Sequence, residues 1–489
     1  MKEDCILSTI VEENKITFKE LEQKIYSFIC GIGREMTRIY LEDYDTELAG
    51  EREKKKYRDK GKRKTSIKTI YGEVEYQRRV YHTKLDDGSN AYVYLLDEAI
   101  GMDKIGLIST NLAELIALSV TDAPYRKGAE MVSSTTGEVI SAMGAWNVIQ
   151  KLGERISDEE DLAVKKMEAG EAEGEKELPV LFEEMDGVML SMQDKKHKKS
   201  PKREMKVFTM YEGWDKQKEE EGRSSLANKK TLAGMESAGE FHSKREAYIE
   251  QLYNADEIGQ RVLNGDGGPW IKEPYDKDAI FQLDPYHVQE AILKGIADSE
   301  ARSAVRDLLQ EEKIDELFSY IQIYADSVDS NDPKDKRSKK AMELYSYLSN
   351  NRAGLIPWQS QIDRIPEAPE GMIYKNMGVQ ENQNCTIITL RMKHRRMRWS
   401  EDGANNMGKA LYRRANGELQ DTIGRYTDGL VYEPKLQEIL EPLSAAKAPK
   451  KEGKGDPYAD RITRHMPLLD AMQTAARRAF CKALTGVSL

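Results

Sequence analysis

Cysteine is nearly missing from this chain of 489 residues: the four present, Cys5, Cys30, Cys385 and Cys481, stand far apart with no CxxC pair. That spacing excludes a disulfide framework and a cysteine-rich zinc site, so the thiols read as reduced. Long apolar runs are missing too. No stretch approaches the ~18 apolar residues of a membrane span. The opening MKEDCILSTIVEENKITFKE mixes acids with apolar positions, where a signal peptide would carry a basic start and an apolar block. The reading is therefore a cytoplasmic protein with no membrane partner. What is present is ample: 39% hydrophobic residues can build real cores despite 33% charged ones, and the length suits several domains.

A net charge of −10 speaks against a nucleic-acid partner, yet the charge is segregated, and local potential outweighs the sum. EREKKKYRDKGKRK, Glu51 to Lys64, holds nine Lys/Arg against three acids, whereas Gly153 to Val180 holds ten acids against four bases. A second cationic cluster, RMKHRRMR, runs from Arg391 to Arg398. One such run is usually a solvated face; several together point to a polyanion.

Apolar residues return at helical spacing from Thr17 to about Leu48, predicting a long amphipathic helix. After the basic run, SIKTIYGEVEYQRRVYH alternates about a Tyr71-Gly72 turn, with Val74, Tyr76 and Val80 on one face, which predicts a β-hairpin beside a cationic arm. Residues 1–110 form this N-terminal region. Residues 111–156 read as a helix-turn-helix-like pair joined near Gly137, whose second helix would present Ser141, Asn147, Gln150 and Lys151 to base edges. Helical pairs of this kind are also common in plain bundles. Residues 157–178, acidic and nearly free of aromatics, read as a linker.

From residue 179 the pattern changes to strands and helices. VLFEEMDGVMLSMQ, EMKVFTMYEGW and TLAGMESA predict three antiparallel strands. A helix follows, then RVLNGDGG and AIFQLD as two more strands. An all-helical insertion occupies about 288–377 of a 179–425 domain, and a helical tail with a Lys/Pro/Gly tether fills 426–489. The first strand raises a question, because its apolar residues predict burial on both faces while Glu183, Glu184 and Asp186 sit in its middle. A cation, a metal ion or an opening to solvent must compensate them. Asp266, at the end of the fourth strand in NGDGGPW, joins Asp186 where an open α/β sheet carries its active crevice. Two carboxylates there suit Mg²⁺, and a third would complete a two-ion site, the ions ~3.5–4 Å apart. A lone Asp-Gly is more often a capped turn, so spacing alone does not decide.

The strings KKYRDKGKRKTSIKTIYGEVEYQRRVYHTKLDDGSNAYVYLLDE, LFEEMDGVMLSMQ, LNGDGGPWIK and RMKHRRMRWSEDGANNM resemble, in order along nearly the whole chain, the blocks of ISLre-type insertion-sequence transposases. That family is similar to other DDE transposases, distantly including Mutator-type ones. The resemblance implies a multidomain α/β plus α protein with a ribonuclease-H-like mixed-sheet core. It also implies a bacterial, nucleoid-associated enzyme that uses two Mg²⁺ ions, or Mn²⁺ in their place, to cleave and transfer DNA strands. Asp186 and Asp266 match the first two metal-binding acids and Glu381 in GVQENQNC the third, with Glu401 and Asp402 as nearby alternatives. Asp284-Pro285-Tyr286-His287 resembles a C/D-x-x-H signature, which gives His287 a catalytic role or, alternatively, a capping one.

Double-stranded DNA is then the expected partner. Lys54, Lys55, Lys56, Lys60, Lys62, Arg63 and Lys64 would follow phosphates, and Arg395 and Arg396 would lie over the scissile strand. Trp270 and Trp399 flank the acids and serve either base stacking or, more often, core packing. A transposase-derived DNA-binding protein that has lost its chemistry is the alternative, and an unrelated helical scaffold the remote one. Two DNA ends must meet in one complex, so sedimentation with end DNA bound is expected to show a homodimer or larger. A persistent monomer on that DNA would contradict the reading.

Overall fold

The computed structural model describes residues 17–85, 88–100, 108–172, 174–193, 201–272, 279–329 and 335–427, with the side chains of Arg395, Tyr426 and Thr427 outside it. The predicted C-terminal tail and the basic turn after Gln193 lie outside the described residues. The chain divides into two compact units; the first holds residues up to Val120 and Tyr125–Ala145, the second Thr121–Pro124 and Trp146–Thr422.

In the first unit the long helix α1 spans Phe18–Glu51 and begins at a capping box. The Thr17 hydroxyl accepts from Glu20 N at 3.3 Å, and Glu20 Oε2 accepts from Thr17 N at 2.7 Å. These bonds satisfy two of the backbone donors that a helix start leaves open. Strands β1 (Arg58–Thr69) and β2 (Gly72–Lys84) form the predicted hairpin, and a short β3 (Asn90–Val93) extends it. Gly72 takes φ +114°, a conformation that side chains disfavour. Leu41 of α1 packs on Ile67, Val74 and Tyr76. The cationic arm is partly strand. Within β1 Lys62 lies opposite Arg79 and Arg63 opposite Arg78, pairings that repel unless offset. The offset comes from buried Asp45, 2.6 Å from Arg79, and from Asp97, 2.7 Å from Arg78. Helices α2 (Thr110–Asp122) and α3 (Tyr125–Thr135) follow.

The second unit is built on a mixed sheet. Strands β4 (Leu181–Ser191), β5 (Lys202–Tyr211) and β6 (Lys230–Gly234) pair antiparallel, and helix α5 (Ala238–Leu252) follows them. Strands β7 (Arg261–Gly265) and β8 (Ile280–Leu283) then add in parallel beyond β4, giving the order β8-β7-β4-β5-β6. All five strands fall where the sequence predicts them. Pro285–Gly295 (α6), Ser299–Gln310 (α7), Ile314–Ser327 (α8) and Arg337–Asn350 (α9) form the helical insertion around Val288, Ile292, Leu317, Ile321 and Leu344.

Two sequence expectations are corrected here. The helix α4 spans Ala142–Glu168, so the segment read as a linker from residue 157 continues a helix for three turns. The same helix buries Gln150, whose Oε1 accepts from Asn406 Nδ2 at 2.9 Å, because Val148, Ile149 and Leu152 turn this side into the core. Gln150 is therefore not offered to a base edge.

The acidic segment has a structural use. Glu160 of α4 meets Lys409 of helix α10 (Glu401–Ala415) at 2.7 Å and Lys244 of α5 at 3.0 Å, and Glu236 meets the same lysines at 2.6 and 3.1 Å. All four are buried or nearly so. Burial pushes the Glu236 carboxyl up, but Lys409 and Lys244 outweigh it and bring it from 4.5 to about 2. A depressed carboxylate stabilises the fold above its unfolded value, and the contribution is lost as pH falls from 4.5 towards about 2. Lys409→Met is expected to destabilise the chain by about 3 kcal/mol at neutral pH, since it leaves two buried carboxylates to share the one ammonium of Lys244. It should also flatten stability across that acid window, as read by urea unfolding at several pH values.

Candidate functional site

Strand register lines up three carboxylates. Gly265 of β7 lies opposite Met185 of β4 and opposite Leu283 of β8, all parallel, so the next residues come at adjacent positions of the register: Asp186 within β4, where it pairs with Val207 of β5, and Asp266 and Asp284 just past the ends of β7 and β8. Each is then fixed differently. Asp186 Oδ1 accepts from Gly187 N at 2.7 Å, and Oδ2 accepts from Asn384 Nδ2 at 2.7 Å. Asp266 Oδ1 accepts from Gly268 N at 2.8 Å, and Gly267 between them has φ +82° with Asn351 so near that any Cβ would clash. Asp284 caps α6, accepting from Tyr286 N at 2.8 Å and His287 N at 3.2 Å, while its other oxygen accepts from Asn264 Nδ2 at 2.7 Å.

That cap aims His287 at the first acid, with Nε2 3.7 Å from Asp186 Oδ2. Bonding to Asp186 outweighs burial and holds the imidazole at about 9, so it is a cation at neutral pH. Sequence reasoning missed a further carboxylate. Glu204 of β5 folds over Gly187, where a Cβ would come within 2.0 Å of its Oε1. Burial raises its carboxyl most; Lys206 opposes this, and the charges of Asp266 and Asp186 add to it. Nothing local in REMKVF marks Glu204; only the pairing of Met189 with Glu204 brings it across from the acids.

The acids of the first strand are compensated without metal. Glu183 receives the Arg261 guanidinium on both oxygens, at 2.6 and 3.0 Å. Glu184 accepts from Tyr211 Oη at 2.6 Å, from Asn264 Nδ2 at 3.0 Å, and from the backbone N–H groups of Gly378, Val379 and Gln380 at 3.1, 2.9 and 3.0 Å. Burial still holds its carboxyl above the usual range. Of the alternatives the sequence leaves open, a cation answers Glu183, and neutral hydrogen-bond donors, which the sequence did not announce, answer Glu184.

The third acid is not where the sequence reading puts it. Glu381 is exposed on the turn Gln380–Gln383, and Asn384, one turn on, is the side chain that meets Asp186. Asn384 opens a π-helical turn to Thr389, a widening that recurs at functional sites. Glu401 and Asp402 are exposed in the first turn of α10, with Glu401 paired to Arg203. Among the described residues no three His, Cys, Asp or Glu side chains converge closely enough to hold a metal. What fits a hard cation is the donor chemistry: Asp186, Asp266 and Glu204 present carboxylate oxygens whose mutual repulsion a cation would relieve.

The basic residues are placed unevenly. Lys54, Lys55, Lys56, Lys60, Lys62, Arg63 and Lys64 are exposed on the first unit, and Asn147 and Lys151 are exposed on the second. Arg396 is exposed at φ +54°, whereas Arg391 is buried with its guanidinium 5.4 Å from the Trp399 ring. Trp399 is core, its Nε1 donating to Met392 O at 2.9 Å, while Trp270 is partly exposed with Lys206 over its ring.

The His287–Asp186 pair makes a measurable claim. In EDTA an NMR titration should find His287 near 9, and Asp186→Asn should return it towards the ordinary 6.5. A raised histidine stabilises the fold below 6.5, and this contribution fades as pH rises through about 9. Asp186→Asn should therefore lose stability at pH 6 and little at pH 10.

Comparison with known proteins adds a family. Three UPF0236 proteins of Caldanaerobacter subterraneus subsp. tengcongensis are similar to this chain. One is 25% identical over 419 residues, covering 84% of this chain and 80% of its own length, and its printed name joins eleven gene loci. A second, whose name joins four loci, is 24% identical over 82% of this chain and 79% of its own. A third, named for two loci, is 24% identical over 82% and 75%. The model of the uncharacterised protein family UPF0236 matches residues 11–426, and the chain belongs to that family.

Proposed function

We propose that the chain is a DDE-type transposase of a bacterial insertion sequence, which binds the element's DNA ends, hydrolyses phosphodiesters and transfers strands. The observation that carries this reading is the parallel register of β4 and β7, which puts Asp186 within β4 next to Asp266, the residue that follows β7. They lie in a sheet of three antiparallel and two parallel strands with a helical insertion after the second acid, which supports the ribonuclease-H-like core that the ISLre resemblance implies. The eleven loci in one relative's name support it independently, since an element that copies itself leaves many copies in one genome.

In this reading Asp186 and Asp266 hold the cations, and Glu204, the carboxylate that feels the charge of both, takes the third position in place of the exposed Glu381. Two Mg²⁺ ions, or Mn²⁺, would supply an activated water and charge stabilisation at the phosphate. Asn384 fixes the rotamer of Asp186 through its 2.7 Å bond. The cationic His287, beside Asp186, donates to a phosphate oxygen. Exposed Lys54 to Lys64 and Lys151 follow the duplex backbone, Asn147 reaches a groove, and Arg395 and Arg396 lie along the scissile strand. A homodimer or larger assembly holds both ends in the cytoplasm, at the nucleoid.

A second reading, a transposase-derived DNA-binding protein without cleavage, is favoured by one observation: an amide, Asn384, meets Asp186 while Glu381 points to solvent. The deciding experiment is cleavage of a labelled duplex carrying the DNA that borders the gene, with Mg²⁺ or Mn²⁺ against EDTA. Metal-dependent nicking at the boundary should fall about a thousandfold in Asp186→Ala and Asp266→Ala, a loss of several kcal/mol of charge stabilisation, while DNA binding persists. Tight binding by the parent chain without any cutting would transfer the conclusion to the second reading.

A further inference from the structure

Away from the three aligned acids, the second unit carries a cleft of about 510 Å³, within the range of small-molecule sites. Lys229, Arg391, Arg414 and Thr386 stand around it, Ile387 and Leu411 give it an apolar wall, and Asp122 is the carboxylate among its lining residues. Asp122 is already engaged, since both its oxygens accept from the Arg414 guanidinium, at 2.5 and 2.6 Å. The lysine is the informative residue. Lys230, Lys244 and Lys409 each reach a carboxylate, but the partly buried Lys229 donates at 2.9 Å to a neutral amide oxygen, Gln383 Oε1. Among the described residues no carboxylate lies within ion-pair distance of it, and burial pushes its ammonium down. A partly desolvated cation of this kind is stabilised by an incoming anion.

We propose that this cleft binds a nucleotide, its phosphate held by Lys229, Arg391 and Arg414 and its sugar and base lying against Ile387 and Leu411. Cation-rich polar groups facing an aliphatic wall match an amphiphilic anion better than a bare phosphate, which would leave that wall wet. The inference goes beyond the cleavage reading, because it needs no metal and Asp186 is not part of the cleft. The nucleotide comes either from a DNA strand or from a free nucleoside monophosphate, and the chemistry recognised is the same.

The test uses the full chain in EDTA. Equilibrium dialysis with deoxyadenosine 5′-monophosphate reports the free nucleotide. An oligonucleotide of about eight residues carrying 5-iododeoxyuridine, photo-crosslinked and mapped by mass spectrometry, reports the strand. Saturable binding of the monophosphate, or a crosslink within residues 384–391, is expected. Whichever signal appears should weaken about tenfold in Lys229→Met and in Arg414→Gln, recover in Lys229→Arg and stay unchanged in Asp186→Ala, one charge-assisted contact being worth roughly that much. A signal from the monophosphate makes a free nucleotide the occupant, and a crosslink alone makes it the strand. No signal from either probe, or signals that stay at the parent chain's level in both charge-removing variants, would overturn the proposal. Loss of cleavage with nucleotide binding intact would count against the transposase reading alone.

Discussion

Glu184 is a carboxylate fully removed from water in the middle of the sheet, and the second unit is arranged around satisfying it. Tyr211 supplies a donor from β5, Asn264 one from β7, and the turn Gly378–Gln380 three backbone N–H groups from more than 190 residues along the chain. A buried carboxylate lacking these partners would cost several kcal/mol. The requirement therefore fixes where the last segment of the domain docks. Because Asn384 follows that turn directly, the same constraint brings an amide against Asp186. Asn264 extends it to Asp284 and so to the helix that aims His287. One buried charge thus positions the groups on both sides of the first acid.

The protein uses its many charges in two ways. Inside, they are paired at short range: Arg261 between Glu183 and Glu246, Lys409 and Lys244 between Glu160 and Glu236. Such clusters are weak sources of stability but strongly specify which elements meet, since any mismatch leaves a bare charge in the core. Outside, the positive charge on Lys54 to Lys64 is held open, with Asp45 and Asp97 neutralising only the arginines of the partner strand. The net charge of −10 is a sum over the whole chain, so it says little about the local surface that faces a polyanion.

Asn384 is where the two functional readings separate. An amide beside Asp186 can fix that carboxylate for cation binding, and it can equally be what remains when a third carboxylate is lost from the site. Glu204 bears on this, because it adds a negative group near both acids from a strand that the family resemblance does not single out. The local crowding of like charge is a strained arrangement for a purely structural site and an ordinary one for a site that meets cations.

Local chemistry was legible in the residues themselves. The Thr17–Glu20 box, the Gly72 turn and the alternation of Val74, Tyr76 and Val80 announce their elements within a few positions, and Asp186 within its strand and Asp266 at the end of its strand were visible as candidate acids. Hydrophobic period and turn residues act over one or two turns of chain, so sequence determines them directly. Gln150, Glu160, Glu204 and Asn384 were not legible in that way. Each owes its role to a partner brought close only by packing: Asn406 for Gln150, Lys409 for Glu160, the strand register for Glu204, and the docking of the 378–384 segment on Glu184 for Asn384. An acidic, polar stretch reads as linker or surface until the lysines that neutralise it are known. Those lysines lie 84 and 249 residues away from Glu160 (244 − 160 and 409 − 160), where only tertiary structure decides the pairing.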